Sequence, residues 1–524
     1  MSFPLAGSER LFAETRFENH SLEIYNSTKD MAILNTEEII RATGGELLSD
    51  NGGFFAGVSI DSRTISEGEI FFALRGRRFN AHDFIEQAFL KGNGAVIDIK
   101  KNHLMSEKPG VLKGKVIIYV KDTTRALQDL AHFLIAGRNI PVIAVTGSNG
   151  KTITKEMTYT ILSKRFNVLK NEGNLNNLIG LPLTLTKLGP DNEVAVLELG
   201  MNAPGEIKRL CEIAVPSHGI ITNIGLAHIG ELGSIDSIRN AKLEILQGLK
   251  VAILNADDRF LMEGYKAVIA QGGFDGRAIT FSINPIRKPR RGFLSNGANN
   301  DSHVIAKDVH ATEKGSDFIL ELSNGGSTPI SLNIHGLFNV YNALAASAVC
   351  ISVGITLEEI KTALEGYTAF PMRFEVIKGD KITLINDSYN ANPSSVEESL
   401  KELIRMRGQG RTVAILGDML ELGKFSERSH RTIGRMISEM GINVFVAVGD
   451  MMRLAAEESQ SGAACSGKNK NHRTKDNPEP AIYYFKTTDE IRQKISDIIK
   501  EGDVVLVKGS RETRMEKIAD KIKG

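Results

Sequence analysis

Residues 142–152 read Val-Ile-Ala-Val-Thr-Gly-Ser-Asn-Gly-Lys-Thr, an apolar run that leads directly into a glycine loop and a Lys-Thr pair. The run predicts a buried strand, and the apolar spacing of Ile153, Met157 and Ile161 predicts a helix after the loop. Glycines let backbone N–H groups crowd around phosphate oxygens, and a helix N-terminus adds positive potential. The stretch therefore predicts a nucleotide-binding α/β domain. The alternative interpretation is an ordinary Gly-Asn turn.

The residues of this loop have separate expected roles. Lys151 is expected to neutralise the outer phosphates, and the hydroxyl of Thr152 is suited to ligate Mg²⁺. Val145 stands where the full Walker A pattern has its first glycine, so the match to that pattern is incomplete. The predicted phosphate-binding residues are Thr146, Gly147, Ser148, Asn149, Gly150, Lys151 and Thr152.

Length and composition limit the possible classes of protein. A chain of 524 residues predicts three or four domains at ~150 residues each. With 42% apolar and 24% charged residues, the composition is that of an ordinary globular protein with ample core. The formal net charge of +1 argues against a broad nucleic-acid footprint or an acidic membrane surface. We therefore expect no nucleic-acid partner and no stable membrane insertion.

The cysteines and the N-terminal residues bear on the cellular compartment of the protein. Cys211, Cys350 and Cys465 show neither metal-ligand spacing nor a disulfide framework, which predicts a reducing cytoplasm. No apolar run approaches the ~18 residues of a membrane span. Residues 1–30 have no apolar signal-peptide core and are predicted to be an extension outside the main fold.

Strand and helix patterns alternate along three blocks, 31–137, 138–350 and 351–524. Alternation of this kind implies parallel sheets covered on both faces. The predicted fold class is α/β, with a small first domain, a central P-loop domain and a C-terminal Rossmann-like domain. The predicted strands are 58–60, 70–74, 95–97, 142–145, 194–198, 219–223, 251–254, 382–385, 413–416, 444–448, 482–485 and 504–507.

Two further features interrupt this alternation. Residues 318–322 and 330–334, separated by Asn-Gly-Gly, predict a hairpin added to the central block. The polar stretches 284–302 and 459–480 predict a surface loop and a flexible excursion.

Polar side chains follow the predicted central strands. Ligands gather at the carboxyl ends of the strands in open parallel sheets. Glu198 and His228 both follow such strands and are candidate ligands of Mg²⁺ beside Thr152. The alternatives are a structural salt bridge of Glu198 and a turn capped by His228.

Three other positions support two interpretations each. Lys242 lies in a predicted helix, where a solvated surface lysine is the ordinary interpretation. Asn255 offers an amide to a base or forms an Asx turn. Asp387 is suited to accept from a ribose, and the alternative is a helix N-terminus capped by Ser394 or Ser395.

Two loops carry groups suited to ligands. The loop 173–177 contains three amide side chains, those of Asn174, Asn176 and Asn177. They suit a polar substrate, although loops often contain amides. The segment 508–511, Lys-Gly-Ser-Arg, closes a predicted strand, and its position predicts an anion site.

Taken in order, these segments resemble the Mur ligase family of ATP-dependent enzymes, which build the peptide stem of peptidoglycan. The resemblance covers about residues 50–524, and the ordered set of motifs is far more specific than any one of them. The motifs are TGSNGKT at 146–152, GNLNNLIGLP at 173–182, ELGMN at 198–202, ITNIGLAHIG at 221–230, NAKLEI at 240–245, NADD at 255–258, NVYNALAA at 339–346 and PMRFEVI at 371–377.

The resemblance implies a reaction and a role for each of the three blocks. Block 31–137 binds a UDP-sugar peptide, block 138–350 binds ATP, and block 351–524 closes over both. The substrate carboxylate attacks the γ-phosphate of ATP, and an amine then displaces phosphate from the resulting acyl phosphate. The implied ATP-binding residues beyond the loop are Asn255, Asn339, Arg373 and Asp387.

The remaining site residues are also implied by the resemblance. The implied catalytic residues are Lys151, His228 and Lys242. The implied ligands of two Mg²⁺ ions are Thr152, Glu198, His228 and Lys242, the last as a carbamate formed with CO₂. The implied substrate-binding residues are Ser62, Arg63, Asn174, Asn176, Asn177, Asn390 and Asn392. For Lys242 the resemblance overrides the surface-lysine interpretation.

The C-terminal segments narrow the resemblance within the family. NDSYNANPSS at 386–395, LGDMLELG at 416–423 and VLVKGSRETRME at 505–516 are similar to those of the member that joins D-alanyl-D-alanine to UDP-N-acetylmuramoyl-tripeptide. The Asp-Asn-Pro-Arg signature of the preceding ligase is absent. The implied partners are these two substrates, and we expect a cytoplasmic monomer.

Some positions depart from the family pattern. Phe338 stands where many relatives have His, which puts one adenine contact in doubt. Asn386 replaces the first of two common aspartates, and Ile153 stands where Thr is frequent.

Two rival functions stay open from the sequence. One is a ligase similar to folylpolyglutamate synthase, against which the first block argues because that family lacks such a uridine-nucleotide module. The other is a nucleotide-gated binding protein, which phosphate release dependent on both an amine and a UDP-sugar peptide would exclude.

Overall fold

The short apolar runs form buried strands, and most of them pair in parallel as predicted. The computed structural model describes residues 34–49, 52–76, 78–99, 114–283, 302–465 and 479–523, the side chains at 462–465 excepted. The predicted extension 1–30 lies outside these residues, as do 284–301 and 466–478 of the two predicted polar stretches. The described residues form two units, the first within 34–142, 166–199 and 209–216 and the second within 143–165, 200–208 and 217–523. The domain boundaries at 137/138 and 350/351 stay a prediction.

The secondary structure alternates between short strands and helices. The strands are β1 (Leu34–Asn35), β2 (Glu46–Leu47), β3 (Phe54–Phe55), β4 (Gly57–Ser59), β5 (Glu69–Phe72), β6 (Gly94–Ile97), β7 (Val116–Tyr119), β8 (Val142–Thr146), β9 (Val168–Lys170), β10 (Val194–Glu198), β11 (His218–Ile221), β12 (Val251–Asn255), β13 (Arg277–Ser282), β14 (Ser302–Ala311), β15 (Ser316–Leu322), β16 (Ser327–Leu332), β17 (Glu375–Lys378), β18 (Thr383–Asp387), β19 (Thr412–Gly417), β20 (Val444–Val448), β21 (Ala481–Phe485) and β22 (Val504–Lys508). The α-helices are α1 (Thr36–Thr43), α2 (Ile85–Ala88), α3 (Thr123–Ala136), α4 (Lys151–Leu162), α5 (Gly180–Leu185), α6 (Glu206–Ala214), α7 (Ile229–Leu232), α8 (Ile235–Leu243), α9 (Arg259–Ala270), α10 (Leu337–Ser352), α11 (Leu357–Glu365), α12 (Pro393–Arg405), α13 (Ser426–Glu439), α14 (Met452–Cys465), α15 (Thr488–Ile498) and α16 (Glu516–Lys523).

The first unit is built around a five-stranded sheet of order β2-β7-β6-β5-β4. Strands β4 to β7 pair in parallel, and β2 pairs antiparallel with β7 at one edge. In the same unit β9 and β10 pair in parallel, and β1 pairs antiparallel with β3. Apolar side chains cover both faces of the five-stranded sheet, which explains why its strands read as continuous apolar runs.

The second unit contains two sheets. In one, the strand order β14-β13-β12-β11-β8 is parallel throughout, and β15 and β16 continue it antiparallel. In the other, of order β17-β18-β22-β19-β20-β21, only β17 is antiparallel. The α/β class with parallel sheets is therefore confirmed. Among the described residues, no helix is both long and apolar enough to cross a bilayer.

Three details differ from the sequence predictions. The hairpin forms, but its second strand starts at residue 327, and β14 pairs with it as a third strand that the sequence did not indicate. Helix α14 continues to residue 465, where a flexible excursion from 459 was predicted. The side chain of Asn392 caps α12, so neither Ser394 nor Ser395 is the N-cap. Proline at 393 explains this cap, because its fixed φ and missing N–H suit the first helical position.

A close helix crossing in the C-terminal part (residues 372–523) yields a prediction. A Cβ at Gly434 of α13 would lie 2.2 Å from the carbonyl oxygen of Ala455 in α14. Gly434→Ala is therefore expected to push the helices apart and to lower the free energy of unfolding by about 1–3 kcal/mol, measured by urea denaturation. Gly408→Ala is the matched control, because a Cβ there would meet nothing within 4 Å. Equal urea midpoints for the two variants would contradict this packing.

Candidate active site

The loop between β8 and α4 bends where only glycine fits. Gly147 has a φ of 148° and Gly150 a φ of 82°. A Cβ at Gly147 would lie 1.8 Å from Oγ1 of Thr222, and a Cβ at Gly150 would lie 2.3 Å from Oδ1 of Asn342. The loop is thus held against the residues after β11 and against α10 at distances that a side chain would prevent.

Residues 222–225 fix this loop from one side. The N–H groups of Ser148 and Asn149 donate to the carbonyl and side-chain oxygens of Asn223, at 2.9 and 3.0 Å. The hydroxyl of Thr222 donates to the carbonyl of Asn149 at 2.6 Å. Because these two loop N–H groups are used within the protein, the start of α4 at Lys151 is the segment best suited to an anion.

Two lysines donate to one carbonyl oxygen in this loop. Nζ of Lys151 and Nζ of Lys242 each lie 2.9 Å from the carbonyl oxygen of Gly147. Lys242 is only 2% exposed, so the surface-lysine interpretation is wrong. Burial, and then the neighbouring charge of Lys151, hold the pKa of Lys242 well below its usual value. Burial therefore disfavours the charged form of the Lys242 amine.

Thr152 and Arg373 meet beside the start of α4. Nη2 of Arg373 donates to the hydroxyl of Thr152 at 3.0 Å. The guanidinium of Arg373 also stacks on the ring of Tyr389, with its central carbon 3.7 Å from the ring centroid. Thr152, predicted to ligate Mg²⁺, and Arg373, predicted to bind the nucleotide, are therefore in direct contact.

The predicted amides Asn255 and Asn339 are both buried and both bonded within the protein. Asn255 accepts from the N–H of Asp257 at 3.0 Å, which is the Asx turn of the alternative interpretation. Asn339 accepts from Asn342 at 3.0 Å, and Asn342 in turn accepts from Thr154 of α4 at 3.2 Å. A nucleotide contact by either amide stays a prediction.

Asp387 lies at the end of β18 in a network of short bonds. Its carboxylate accepts from Nζ of Lys508 at 2.5 Å and from the hydroxyl of Ser399 at 2.7 Å. It also accepts from the N–H of Phe374 at 3.1 Å. The ring of Phe374 packs edge-on against Phe338, with centroids 5.2 Å apart. The departure at Phe338 is thus accommodated by aromatic packing, and the ribose contact of Asp387 stays a prediction.

His228 precedes α7 with a left-handed φ of 57°. Its Nδ1 lies 2.9 Å from Oε2 of Glu421, and the contact with His228 lowers the pKa of that carboxyl. The side chain of His228 does not cap the helix, which was the alternative interpretation. Its role as a metal ligand stays a prediction.

In the first unit, Glu198 and Asn176 come together. Nδ2 of Asn176 donates to Oε1 of Glu198 at 2.9 Å, and Glu198 is only 4% exposed. Asn171 holds the backbone of Glu198 on both sides, accepting from its N–H at 2.8 Å and donating to its carbonyl at 3.0 Å. This arrangement presents a buried, oriented carboxylate at the end of β10.

The other predicted substrate residues of the first unit lie at its surface. The hydroxyl of Ser62 donates to Gln87 at 2.9 Å. Arg63 donates three hydrogen bonds to Asp61, two from its guanidinium and one from its backbone N–H, and these lower the pKa of that carboxyl to about 2. Asn174 is exposed, and Asn177 accepts from the N–H of residue 180 at 2.9 Å, at the start of α5.

In the second unit, Asn392 and Asn390 flank the start of α12. Nδ2 of Asn392 donates to Oδ1 of Asn149 at 2.8 Å, and Nδ2 of Asn149 donates to the hydroxyl of Ser394 at 3.1 Å. Asn390 is exposed, and its carbonyl accepts from Lys508 at 3.1 Å. The phosphate loop is thus bonded directly to the C-terminal part.

Several residues of the site were missed from the sequence. Asn342 lies one helical turn after Asn339 in α10, and that spacing was a usable signal. Tyr389 and Glu421 were quoted only inside longer motifs, and no local pattern shows that one stacks on Arg373 and the other faces His228.

The fold and the loop define a class of protein. A strand, a glycine loop carrying Lys-Thr and a helix, set in a parallel sheet, make a P-loop nucleotide-binding protein of the α/β class. Three family descriptions match successive parts of this chain: "Mur ligase family, catalytic domain" at 55–134, "Mur ligase middle domain" at 145–350 and "Mur ligase, glutamate ligase domain" at 372–511.

Curated relatives and solved structures agree with these matches. The UDP-N-acetylmuramoyl-tripeptide–D-alanyl-D-alanine ligases of Bacillus subtilis and Escherichia coli are each 35% identical to this chain and cover 88% of it, over 92% of their own length. The structure of MurF from Acinetobacter baumannii is 30% identical, with a TM-score of 0.79, covering 94% of this chain and 100% of that one. The structure of MurF ligase from Thermotoga maritima in complex with ADP is 25% identical, with a TM-score of 0.71 and coverage of 89% and 97%. The chain belongs to the Mur ligase family.

Lys151 is the residue of the loop whose removal is most informative. Lys151→Ala is expected to lower the rate of ATP-dependent phosphate release ~10²–10³-fold, because about 3–4 kcal/mol of stabilisation of the transferring phosphate is lost. Circular dichroism is expected to stay unchanged, since the side chain of Lys151 is only half-buried and donates to the carbonyls of Gly147 and Ser148 in a loop. Lys164→Ala, at an exposed lysine after α4, is the control. Near-normal turnover of the Lys151 variant would refute the assigned role.

Proposed function

We propose that this chain is an ATP-dependent ligase that joins D-alanyl-D-alanine to UDP-N-acetylmuramoyl-tripeptide, releasing ADP and phosphate. The observation that carries the proposal is the match, nearly end to end, to relatives that bear this name. The phosphate loop with its two lysines supports ATP use, and the ADP bound to the Thermotoga maritima relative agrees with it.

The reaction forms an amide in two steps. The terminal carboxylate of the tripeptide attacks the γ-phosphorus of ATP, which breaks the bond to the bridging oxygen and releases ADP. The neutral amine of the dipeptide then attacks the acyl carbon, and the tetrahedral intermediate expels phosphate while the nitrogen loses a proton. Both steps require charge neutralisation and positioning rather than a protein nucleophile.

Residues of the second unit supply these requirements. Lys151 neutralises charge on the transferring phosphoryl group, and the start of α4 orients the phosphates. Arg373, bonded to Thr152, adds a second positive charge from the C-terminal part. Asn339 and Asp387 contact the nucleotide in the proposal, with Asn255 beside the base. Arg373 and Asp387 both belong to the C-terminal part, residues 372–523. That part therefore has to be in place for turnover.

The metal ligands are part of the proposal. In the described part of the chain, no group of three His, Cys, Asp or Glu side chains is arranged to hold a metal ion. Mg²⁺ fits nonetheless, because it keeps several waters and is commonly bound by one or two protein oxygens and the phosphates of a nucleotide. Thr152 and the buried Glu198 are donors of this type, and we assign His228 to a second ion. Bound Mg²⁺ would neutralise negative charge on the phosphates.

Lys242 is assigned as a carbamate. The neutral amine attacks CO₂ and loses a proton, which leaves an anionic oxygen donor at the end of the side chain. Support comes from its burial and from its bond to the carbonyl of Gly147, next to Lys151.

The substrate-binding residues, the compartment and the oligomeric state complete the proposal. Ser62 and Arg63 contact the UDP moiety, and Asn174, Asn176 and Asn177 contact the peptide. Asn390 and Asn392 contact the acceptor. We propose a cytoplasmic location, because the three cysteines lack a disulfide framework, and we propose that the chain is a monomer.

The acceptor amine tests the proposal directly. With UDP-N-acetylmuramoyl-tripeptide and ATP, D-alanyl-D-alanine is expected to support phosphate release, whereas D-glutamate, lysine and diaminopimelate are not. This acceptor preference is expected because the segments 386–395, 416–423 and 505–516 differ from those of the preceding ligase. Faster turnover of the dipeptide precursor with diaminopimelate would place the protein at the preceding step. No release with any amine would favour a nucleotide-gated binding protein.

The carbamate is tested by chemical rescue and by spectroscopy. Lys242→Ala is expected to be folded and nearly inactive, with partial recovery in a short carboxylic acid that replaces the lost oxygen donors. Lys242→Arg is expected to stay inactive, because it keeps a positive charge and forms no carbamate ligand. In ¹³CO₂-equilibrated enzyme, a carbamate ¹³C signal is expected that Lys242→Ala lacks and that Lys250→Ala, at an exposed lysine, retains. High activity of the arginine variant, or no carbamate signal, would contradict the assignment.

A further inference from the structure

His228 and Glu421 meet where a loop of the central sheet touches the C-terminal part. Two glycines allow this approach. A Cβ at Gly230 would lie 2.5 Å from the backbone nitrogen of Gly423, and a Cβ at Gly423 would lie 2.9 Å from Cα of Gly230. The N–H of Gly230 donates to the carbonyl of Glu421 at 3.0 Å. The backbone of Glu421 is therefore bonded directly to the turn that carries His228.

The backbone holds both residues in an uncommon conformation. His228 and Glu421 have left-handed φ values of 57° and 62°, and non-glycine residues keep such values where their surroundings hold them. The N–H groups of Glu231 and Leu232 donate to the carbonyl of His228 at 3.2 and 3.1 Å. The direction in which each side chain leaves the backbone is therefore set by the fold.

The turn that carries His228 is also tied to the phosphate loop. The hydroxyl of Ser148 donates to the carbonyl of Gly225 at 2.9 Å and accepts from the N–H of Gly225 at 2.7 Å. Gly225 lies three residues before His228. The imidazole therefore belongs to a segment that is bonded to the phosphate loop on one side and to Glu421 on the other.

The two nitrogens of the His228 ring differ in their surroundings. Nδ1 is buried, forms no well-aligned hydrogen bond within the described residues, and lies 2.9 Å from Oε2 of Glu421. A buried polar nitrogen requires a partner, and this carboxylate oxygen is within reach of an Nδ1–H. In the described part of the chain no protein group is hydrogen-bonded to Nε2. Glu421 therefore faces one nitrogen and leaves the other to a ligand.

We propose that Glu421 is a positioning residue, which accepts from Nδ1–H of His228 and so presents Nε2 of that ring to the second Mg²⁺ ion. The inference rests on the proposed function, which assigns His228 to that ion. Histidines that bind metal ions commonly donate their other ring N–H to a carboxylate, which fixes the tautomer and raises the basicity of the ligating nitrogen.

The positioning group comes from a different part of the chain than the ligand that it orients. His228 belongs to the central part and Glu421 to the C-terminal part, so the tautomer of His228 is set only while these two parts are in contact. The affinity of the second ion would then depend on that contact. In this way the C-terminal part would complete a metal site without ligating the metal.

Binding of Mn²⁺, a paramagnetic probe for Mg²⁺ sites, tests the inference without turnover. The full chain with a non-hydrolysable ATP analogue is titrated with Mn²⁺ and followed by electron paramagnetic resonance. In Glu421→Ala the affinity of the second ion is expected to fall ~10–100-fold, while that of the first stays unchanged. Glu421→Gln is expected to lose less, because its amide oxygen still accepts from Nδ1–H. The carboxylate is 49% exposed, so neither variant is expected to unfold.

The tautomer of His228 provides a spectroscopic signature. In ¹⁵N-histidine-labelled, metal-free chain above the titration range of histidine, the signals of His228 are those that His228→Asn lacks. They are expected to show a protonated Nδ1 and an unprotonated Nε2, a preference that Glu421→Ala loses and Glu421→Gln keeps.

Two further variants separate positioning from a general structural role. Gly423→Ala keeps the carboxylate but forces the two backbones apart, and it is expected to weaken the second Mn²⁺ ion as Glu421→Ala does. Glu439→Gln, at an exposed glutamate that ends α13, is the matched control and is expected to change neither Mn²⁺ affinity nor tautomer. In phosphate release, Glu421→Ala is expected to raise the Mg²⁺ concentration needed for half-maximal activity, with the KM for D-alanyl-D-alanine unchanged.

The possible failures are distinguishable. If His228→Ala weakens the second Mn²⁺ ion and Glu421→Ala does not, the inference is wrong. A higher KM for the acceptor with unchanged Mn²⁺ affinity would also overturn it, because Glu421 would then bind the acceptor. Full affinity for both ions in His228→Ala would overturn the metal assignment and this inference with it. Absence of acceptor-dependent phosphate release in the unmodified chain would instead overturn the proposed function.

Discussion

The carbonyl oxygen of Gly147 is the acceptor on which the nucleotide-binding loop depends. The left-handed backbone at Gly147 places this oxygen where Lys151 and Lys242 both donate to it. Two unit positive charges at one acceptor repel by about 3 kcal/mol at the dielectric typical of such sites. Burial disfavours the charged form of Lys242 and lowers its pKa, whereas Lys151 is only half-buried. In the proposed function this difference assigns charge neutralisation to Lys151 and carbamate formation to Lys242.

The C-terminal part contacts the loops of the central sheet through backbone groups and through polar side chains such as Asn392, Arg373 and Glu421. The N–H of Gly230 donates to the carbonyl of Glu421 at 3.0 Å, next to the contact between Glu421 and His228. His228 and Glu421 are both non-glycine residues with left-handed φ, of 57° and 62°. Such conformations cost about 1–3 kcal/mol when they are strained and persist where the surroundings hold them, as in ligand clamps. These left-handed residues lie where the loops of the central sheet meet the C-terminal part of the second unit.

The sequence predicted what local patterns determine and missed what depends on distant packing. The core strands were found because parallel strands buried on both faces are continuous apolar runs, as at 444–448. Strand β14 was missed because polar and apolar side chains alternate along only part of it. It is recognisable as a strand from its antiparallel pairing with β15, which the sequence does not show. The phosphate loop was found because its glycines are a local requirement. The burial of Lys242 was not visible locally, since it follows from how α8 packs behind the loop, and only resemblance indicated it.

The polar character of these contacts explains how the enzyme would release its products. The bonds of Asn149 to Asn392 and Ser394 join amides and a hydroxyl that water satisfies equally well. Each contributes only about 1 kcal/mol net, because folding exchanges such bonds for bonds to water. A contact held by such bonds can be shifted by a few kcal/mol of differential ligand binding. A large apolar contact at the same place would hold the parts together after the reaction and slow each turnover.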